Sequence, residues 1–361
     1  MRGILLALAF TLSVSSTASS QQYATVAPEA ESSRSKSAAS YLERGNIWFK
    51  QGEYERAIAD YSLAIAFGAR FAGPYCNRGM ARALKGDIIG ALQDFDIALA
   101  LNPRLAEALT SRGILRCNKK EFAAGLADFS RVIEIDPRDA RAWANRGAAR
   151  QELGDFDAAL ADYAEAIRLN PRLADPWSNR CGARYLRGEL SAALADCEQA
   201  LKLNPRDVIA LNNCGAILTD KGDFDGALAN LDQAITLDSG QGRLYYNRAR
   251  AWFFKGSAER ALSDVDLAIK LDANYAQAWV TRGMIRARER DYSRALADFD
   301  QAIKLNPRLA EAWRNRAVML LRLDRLPEAE AAFARVRELG ERLNPEAEQL
   351  WREVKERLKQ K

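Results

Sequence analysis

The stretch Trp143-Ala144-Asn145-Arg146-Gly147 decides the fold, because it recurs with substitutions along the chain at a fixed spacing of 34 residues. An aromatic residue or a leucine opens each of nine copies, at Tyr41, Tyr75, Leu109, Trp143, Trp177, Leu211, Tyr245, Trp279 and Trp313. Sixteen residues further on comes an alanine or glycine, and four residues later an aromatic or other apolar residue, as in Ala159 and Tyr163. Residues 38–343 are therefore predicted to form nine repeats of one unit.

Each repeat is predicted to contain two helices of about a dozen residues, because apolar residues recur at spacings of three and four within each half. A glycine separates the halves in most repeats and can adopt the left-handed conformation that ends a helix. An acidic residue follows, where it can interact with the first turn of the next helix, as Asp223 does after Gly222. Proline closes five repeats, at Pro103, Pro137, Pro171, Pro205 and Pro307.

This pattern of Trp, small residue, Ala, aromatic residue and Pro resembles the tetratricopeptide repeat. The resemblance implies an all-α fold, a right-handed α-solenoid of about nine helix-turn-helix units. A last helix over residues 344–361, with Leu350 and Trp351 on its apolar face, is expected to cap the ninth repeat. In the family, side chains of the first helices line an inner surface, so the resemblance implies that a protein or peptide binds there.

Residues 1–20 are a different kind of segment, with one positive charge, an apolar run from Ile4 to Val14 and a stretch of small residues. This layout predicts a secretory signal peptide. Residues 21–37 lack hydrophobic periodicity and are predicted to be a disordered leader. The mature chain is then expected to be exported, to a bacterial periplasm or as a secreted protein, with no integral membrane segment after cleavage.

Composition excludes several classes of function. The chain has no histidine, so the commonest general base, catalytic triads with histidine and histidine metal sites are unavailable. It has 53 Lys and Arg against 48 Asp and Glu, and the signs alternate, which argues against a nucleic-acid binder with a basic stripe. No phosphate loop, nucleophile elbow or metal cluster appears. We expect no enzyme activity, no cofactor and no metal.

A ladder of opposite charges runs through the repeats. Seven repeats have an arginine on the first helix and an aspartate sixteen residues later on the second: Arg44 with Asp60, Arg78 with Asp94, Arg112 with Asp128, Arg146 with Asp162, Arg180 with Asp196, Arg248 with Asp264 and Arg282 with Asp298. The sixth repeat lacks both partners, having Cys214 and Asn230, so pairing within a repeat is favoured over pairing with the preceding one. We predict structural salt bridges. The alternative is a polyanion track, formed with Arg82, Arg116, Arg150, Arg184 and Arg286.

The five cysteines show no Cys-x-x-Cys spacing, so neither a zinc ribbon nor a thioredoxin-type redox pair is indicated. Cys181 and Cys197 fall at facing positions of one repeat. They are predicted either to form a disulfide, which an oxidising compartment would permit, or to remain two packed thiols.

Candidate partner-binding residues lie on the first helices. An asparagine recurs at one inner position of the repeat, and the candidates are Asn145, Asn179, Asn213, Asn247 and Asn315. Their amides could form hydrogen bonds with an extended backbone, or they could belong to an ordinary polar helix face. The seventh repeat adds guanidinium and aromatic groups, which are common at interface hot spots: Arg243, Tyr246, Arg250 and Phe253. Arg314, two repeats further along the chain, is a candidate as well.

The sequence thus predicts a non-enzymatic scaffold or adaptor that holds an extended segment of a partner protein. One alternative is a carbohydrate-binding solenoid for cell-wall or polysaccharide handling, in which Tyr246 and Phe253 would stack on sugar rings. Another is a self-associating structural array.

Overall fold

The computed structural model describes residues 29–67, 71–343 and 345–360. All regular secondary structure in these residues is α-helical. The chain divides into two compact units, and the boundary falls between Ala183 and Arg184. The predicted signal peptide, residues 1–20, lies outside the described residues and stays a prediction.

The described part of the N-terminal unit contains eight helices and most of a ninth. Neighbouring helices pack in pairs, α1 with α2, α3 with α4, α5 with α6 and α7 with α8, and each pair is one repeat. The helices are α1 (Glu29–Lys50), α2 (Tyr54–Ala66), α3 (Ala72–Leu84), α4 (Ile88–Leu101), α5 (Ala106–Asn118), α6 (Phe122–Ile135), α7 (Ala140–Glu152), α8 (Phe156–Leu169) and α9 (Ala174–Leu186), which crosses the boundary.

The C-terminal unit continues the same arrangement. Its pairs are α11 with α12, α13 with α14, α15 with α16, and α17 with α18, and α19 packs against the last pair. The helices are α10 (Leu190–Leu203), α11 (Val208–Lys221), α12 (Phe224–Leu237), α13 (Gly242–Lys255), α14 (Ala258–Leu271), α15 (Ala276–Arg288), α16 (Tyr292–Leu305), α17 (Ala310–Arg322), α18 (Leu326–Glu338) and α19 (Pro345–Gln360).

The turn between the two helices of a repeat uses a left-handed residue, as the sequence predicts. Glycine supplies it in six repeats, with φ of 87° at Gly222, and Asp223 then accepts a hydrogen bond from the backbone N–H of Gly226. In the other three repeats the same turn is made by residues that carry a Cβ, at Lys120, Arg290 and Asp324. A side chain makes this conformation about 1–2 kcal/mol less favourable, so these three turns are strained.

The opening motif is explained by packing around Trp143. Its indole N–H donates to the carbonyl of Pro137 at 3.0 Å, which ties the first helix to the loop before it. A Cβ on Gly147 would lie 2.8 Å from the ring of Tyr163, so only a glycine lets this fully buried ring pack against α7. The residues that recur together in the sequence are therefore those that join one helix pair.

The two ends of the repeat array differ in how they match the sequence. At the N-terminal end, α1 begins at Glu29, so residues 29–37 are helical where the sequence predicts a disordered leader. No proline or glycine interrupts the chain between residues 30 and 44, so the first repeat's helix can continue in the N-terminal direction. At the C-terminal end, Trp351 of α19 stacks on Phe333 of α18 at 6.3 Å, as expected of a cap.

None of the helices in the described residues is both long and apolar enough to span a bilayer.

Candidate functional site

The C-terminal unit contains a concave cavity of about 820 Å³. A volume of this size is typical of ligand sites in proteins. The first helices α11, α13, α15 and α17 supply most of the lining, and the end of α18 and the chain beyond it close one side. Four predicted partner-binding residues line this C-terminal cavity, namely Tyr246, Arg250, Phe253 and Arg314.

Arg250 is held by a carboxylate rather than left free for a ligand. Its Nη2 lies 2.7 Å from Oδ1 of Asp220, and the hydroxyl of Tyr185 donates to the other oxygen of Asp220 at 2.8 Å. Burial lowers the pKa of Arg250, but Tyr246, Tyr185 and Asp220 raise it by more. Arg250 therefore stays charged and fixes the wall between α11 and α13.

Tyr246 does not offer a free ring face. Its ring packs edge-on against Tyr275, with centroids 4.9 Å apart, and the guanidinium of Arg250 lies 5.9 Å from its centroid. The side chain is buried, and this burial raises the pKa of its hydroxyl. Stacking of a sugar on Tyr246, as in the carbohydrate-binding alternative, is therefore not supported, because both sides of the ring have protein neighbours.

Phe253 and Phe254 form an aromatic edge of the cavity. The two rings meet at 5.4 Å, and Phe254 is half exposed. Arg288 lies over the ring of Phe253 at 5.5 Å and donates to its backbone carbonyl at 3.3 Å. Val280 and Met284, one helical turn apart on α15, line the cavity beside this edge.

The cavity lining also includes arginines that have no counter-ion in the described residues. Arg308, Arg314 and Arg342 all line it, and none of them is within salt-bridge distance of an acidic side chain in the described residues. Glu311 and Glu341 line the cavity as well. Of the three arginines, the sequence pattern singles out only Arg314.

The predicted amide row is more buried than its proposed role requires. Asn213 is 1% exposed and Asn247 is 3% exposed, and Nδ2 of Asn247 donates to Oδ1 of Asn212 at 2.8 Å. Asn145, Asn179 and Asn315 are half-buried on α7, α9 and α17. In the C-terminal unit these amides therefore lie between neighbouring repeats, where they contact protein.

Arg243 is half-buried and is not part of the cavity lining. Its Nε donates to Oε1 of Gln241 at 2.8 Å, and its buried Nη1 has no hydrogen-bond partner in the described residues. Burial lowers the pKa of this guanidinium. The structure therefore does not bring Arg243 together with Phe253 and Arg314 at one accessible surface.

Salt bridges within repeats join the six predicted pairs whose two residues lie in one unit. The N–O distances are 2.6–2.8 Å for Arg44–Asp60, Arg78–Asp94, Arg112–Asp128, Arg146–Asp162, Arg248–Asp264 and Arg282–Asp298. Arg180 and Asp196 belong to different units. Arg112 also binds Asp96 of the preceding repeat at 2.7 Å, so the ladder links repeats as well as the helices within them. Three more arginines make this second link, Arg248 to Asp232, Arg282 to Asp266 and Arg316 to Asp300.

The second row of arginines does not form a free basic track. Each of these residues donates to the aspartate of its own repeat at 2.7–2.8 Å, in the pairs Arg82–Asp94, Arg116–Asp128, Arg150–Asp162, Arg184–Asp196 and Arg286–Asp298. The polyanion alternative needs these groups to project freely, so their geometry does not support it.

The disulfide joins a different pair from the predicted one. Cys197 is bonded to Cys214, with Cα atoms 5.8 Å apart, and Cys181 is buried outside this bond. Both alternatives predicted for Cys181 and Cys197, a bond between them or two packed thiols, are therefore wrong. Cys214 occupies the ladder arginine's position on α11, and at this position a side chain reaches the second helix of the preceding repeat.

Sequence profiles and solved structures both match this architecture. One profile described as a tetratricopeptide repeat matches residues 145–208, 183–242, 217–279 and 280–346, and a second so described matches residues 112–176. No curated protein matches the chain.

Two solved structures are similar in fold. The Cut9–Hcn1 hetero-tetramer of the APC/C gives a TM-score of 0.62 at 16% identity, covering 78% of this chain and 55% of that one. The chain thus spans just over half the length of that relative. A tetratricopeptide repeat protein from Parabacteroides merdae ATCC 43184 gives 0.54 at 20% identity, covering 69% of this chain and 98% of that one. At such identities the likeness concerns the fold alone.

The first profile by itself covers residues 145–346, which is more than half of the 361 residues. The helix pairs, their turns and the small residues at their contacts are those that the repeat pattern requires. The chain belongs to the tetratricopeptide repeat family.

Proposed function

We propose that this protein is a scaffold for protein–protein interaction, and that the C-terminal cavity holds an extended segment of the partner. Tetratricopeptide repeat proteins are generally non-enzymatic and bind other proteins. The observation that carries the proposal is the cavity itself, about 820 Å³ in volume and lined by apolar side chains together with unpaired arginines. Such a mixture of apolar and polar lining is typical of a recognition site.

The buried polar groups in this wall support a binding role. Tyr185, Asp220 and Arg250 satisfy one another, so they fix the shape of the wall without needing a ligand. A wall that is already ordered reduces the entropy that binding would cost.

An exported location is part of the proposal. The disulfide between Cys197 and Cys214 supports it, because such bonds persist in oxidising compartments. Mass spectrometry of the protein purified from its own cells tests this directly, since export predicts the loss of about the first twenty residues together with an intact disulfide. Sedimentation at several protein concentrations tests self-association.

The binding site is tested with two matched variants of the full chain. Met284→Glu places a carboxylate in the cavity, and Leu271→Glu places one on an exposed site of α14 outside it. We expect proteins captured by the wild type to be lost with Met284→Glu and retained with Leu271→Glu, while both variants keep the wild-type circular dichroism spectrum. Equal capture by all three proteins would refute the site.

A further inference from the structure

We propose that the C-terminal cavity is selective for an acidic segment that carries an aromatic side chain. This inference rests on the proposed function and adds the chemistry of the ligand. It commits to one occupant, a stretch of a partner protein in which Asp or Glu residues flank a Phe, Tyr or Trp.

The first argument is the charge balance of the cavity. Four arginines and three carboxylates line it, and Asp220 neutralises Arg250 at 2.7 Å. The remaining cations are Arg308, Arg314 and Arg342 against Glu311 and Glu341, and Arg288 adds a further positive charge beside Phe253. The formal charge of the remaining lining is therefore positive. Unpaired guanidinium groups in a concave surface attract carboxylates and orient them through paired N–H donors.

The second argument is the contrast with the rest of the chain. The ladder arginines and the second row are held by aspartates, for example Arg282 and Arg286 by Asp298 at 2.7 and 2.8 Å. The guanidinium groups of Arg308, Arg314 and Arg342 have no such carboxylate within the described part of the chain. They are thus the arginines in this cavity that remain available to bind a ligand's carboxylates.

The third argument is the apolar surface next to these cations. Phe253, Val280 and Met284 lie together on α13 and α15, and Phe254 extends the surface outward. An aromatic ligand side chain would meet aromatic rings and the thioether of Met284, contacts that favour aromatic groups over aliphatic ones. A segment with charge alone would leave this surface uncovered.

The test uses the full chain and three fluorescein-labelled peptides of equal length. The first has one Phe flanked by Asp and Glu, the second replaces the acids with Lys, and the third replaces the Phe with Ala. We expect the first to bind at least tenfold more tightly than either of the others, with an affinity that weakens as salt rises.

Two protein variants locate the contact. Arg314→Gln should weaken binding of the acidic peptide about fivefold, in the range found for exposed ion pairs. Arg322→Gln is the matched control, because Arg322 is exposed at the end of the same helix and outside the cavity lining; it should leave the affinity unchanged.

Three results would overturn the inference: tighter binding of the lysine peptide, equal binding of the alanine peptide, or equal loss from Arg314→Gln and Arg322→Gln. Binding of heparin with the same dependence on Arg314 would also overturn it, in favour of a polyanion site. If the lysine peptide binds and Met284→Glu changes that binding, the proposed ligand class is wrong but the proposed binding site stands. If no peptide binds and Met284→Glu does not affect capture, the proposed function fails too.

Discussion

Salt bridges from the ladder arginines to buried aspartates should contribute far more to stability than those to exposed aspartates. Arg112 makes one of each kind, so both can be compared on one side chain. Its Nη2 lies 2.6 Å from Oδ1 of Asp128, and its Nη1 lies 2.7 Å from Oδ1 of Asp96. The aspartates differ in burial, because the Asp128 side chain is 5% exposed and the Asp96 side chain 58% exposed. The variants to compare are Asp128→Asn and Asp96→Asn.

The magnitude follows from what each carboxylate holds. Asp128 accepts from Nε and Nη2 of Arg112 and from Nη1 of Arg116, so its loss leaves three donors of two partly buried guanidinium groups unpaired, and only the exposed Asp96 remains beside them. Breaking a buried pair in this way costs about 3–5 kcal/mol, and the partial exposure of both arginines favours the lower limit of about 3 kcal/mol. Asp96 lies largely in water, so its replacement should lower the free energy of unfolding by less than about 1 kcal/mol.

The assay is urea unfolding followed by circular dichroism, combined with hydrogen exchange of peptides from α5 and α6. Local exchange is needed because a repeat array can unfold in parts, and one global midpoint could then hide the effect. We expect faster exchange in α5 and α6 for Asp128→Asn and near wild-type exchange for Asp96→Asn. Equal losses in the two variants would refute the claim that burial decides the strength of these pairs.

Three further predictions concern turns, the disulfide and pH. Arg290 has φ of 65° in an exposed turn, so Arg290→Gly should raise the free energy of unfolding by about 1 kcal/mol, whereas Glu289→Gly at φ −79° should lower it; equal shifts in chemical denaturation would contradict this. The disulfide between Cys197 and Cys214 closes a loop with a sequence separation of 17, so its reduction by dithiothreitol should destabilise the C-terminal unit by about 3 kcal/mol. Cys214→Ala should abolish this sensitivity to dithiothreitol. Thermal melts of both proteins with and without the reductant test this. Burial raises the pKa of Glu107 above its ordinary 4.5, so the folded state keeps this proton to higher pH than the unfolded state, and the wild type loses stability as pH rises through that window. Glu107→Gln should therefore stabilise the protein more at pH 7 than at pH 4, and a gain that does not vary with pH in urea titrations would be inconsistent with this.

The repeats and helix pairs could be predicted from the sequence because each is fixed by local chemistry. Glycine at the turn, aspartate after it and a small residue opposite a large ring are all needed within one repeat, as Gly147 and Tyr163 illustrate. The turns at Lys120 and Arg290 could not be predicted, because nothing in these residues favours a left-handed backbone, whereas the aspartate at Asp324 adopts it more readily. The packing of the two flanking helices imposes that conformation on them.

The site was only partly predictable, because its lining depends on distances between repeats. The helical positions of Tyr246, Arg250, Phe253 and Arg314 indicate an inward direction, and all four line the cavity. The sequence pattern does not show how deeply a side chain is buried, however, and Asn247 is buried between neighbouring repeats. Arg342 lies beyond the last helix of the ninth repeat, 34 residues after Arg308, and the repeat period alone does not show that the two reach one cavity.

The ladder also changes how the charge of this chain should be interpreted. A formal charge of +5 on 361 residues says little by itself. Because aspartates hold the ladder arginines and the second row, much of the positive charge is neutralised at fixed places in most repeats. Arg308, Arg314 and Arg342, which no aspartate holds in the described residues, then determine where the cavity can attract an anion. In this chain the lack of a carboxylate partner, rather than the position in the repeat, therefore marks the arginines that can bind a ligand.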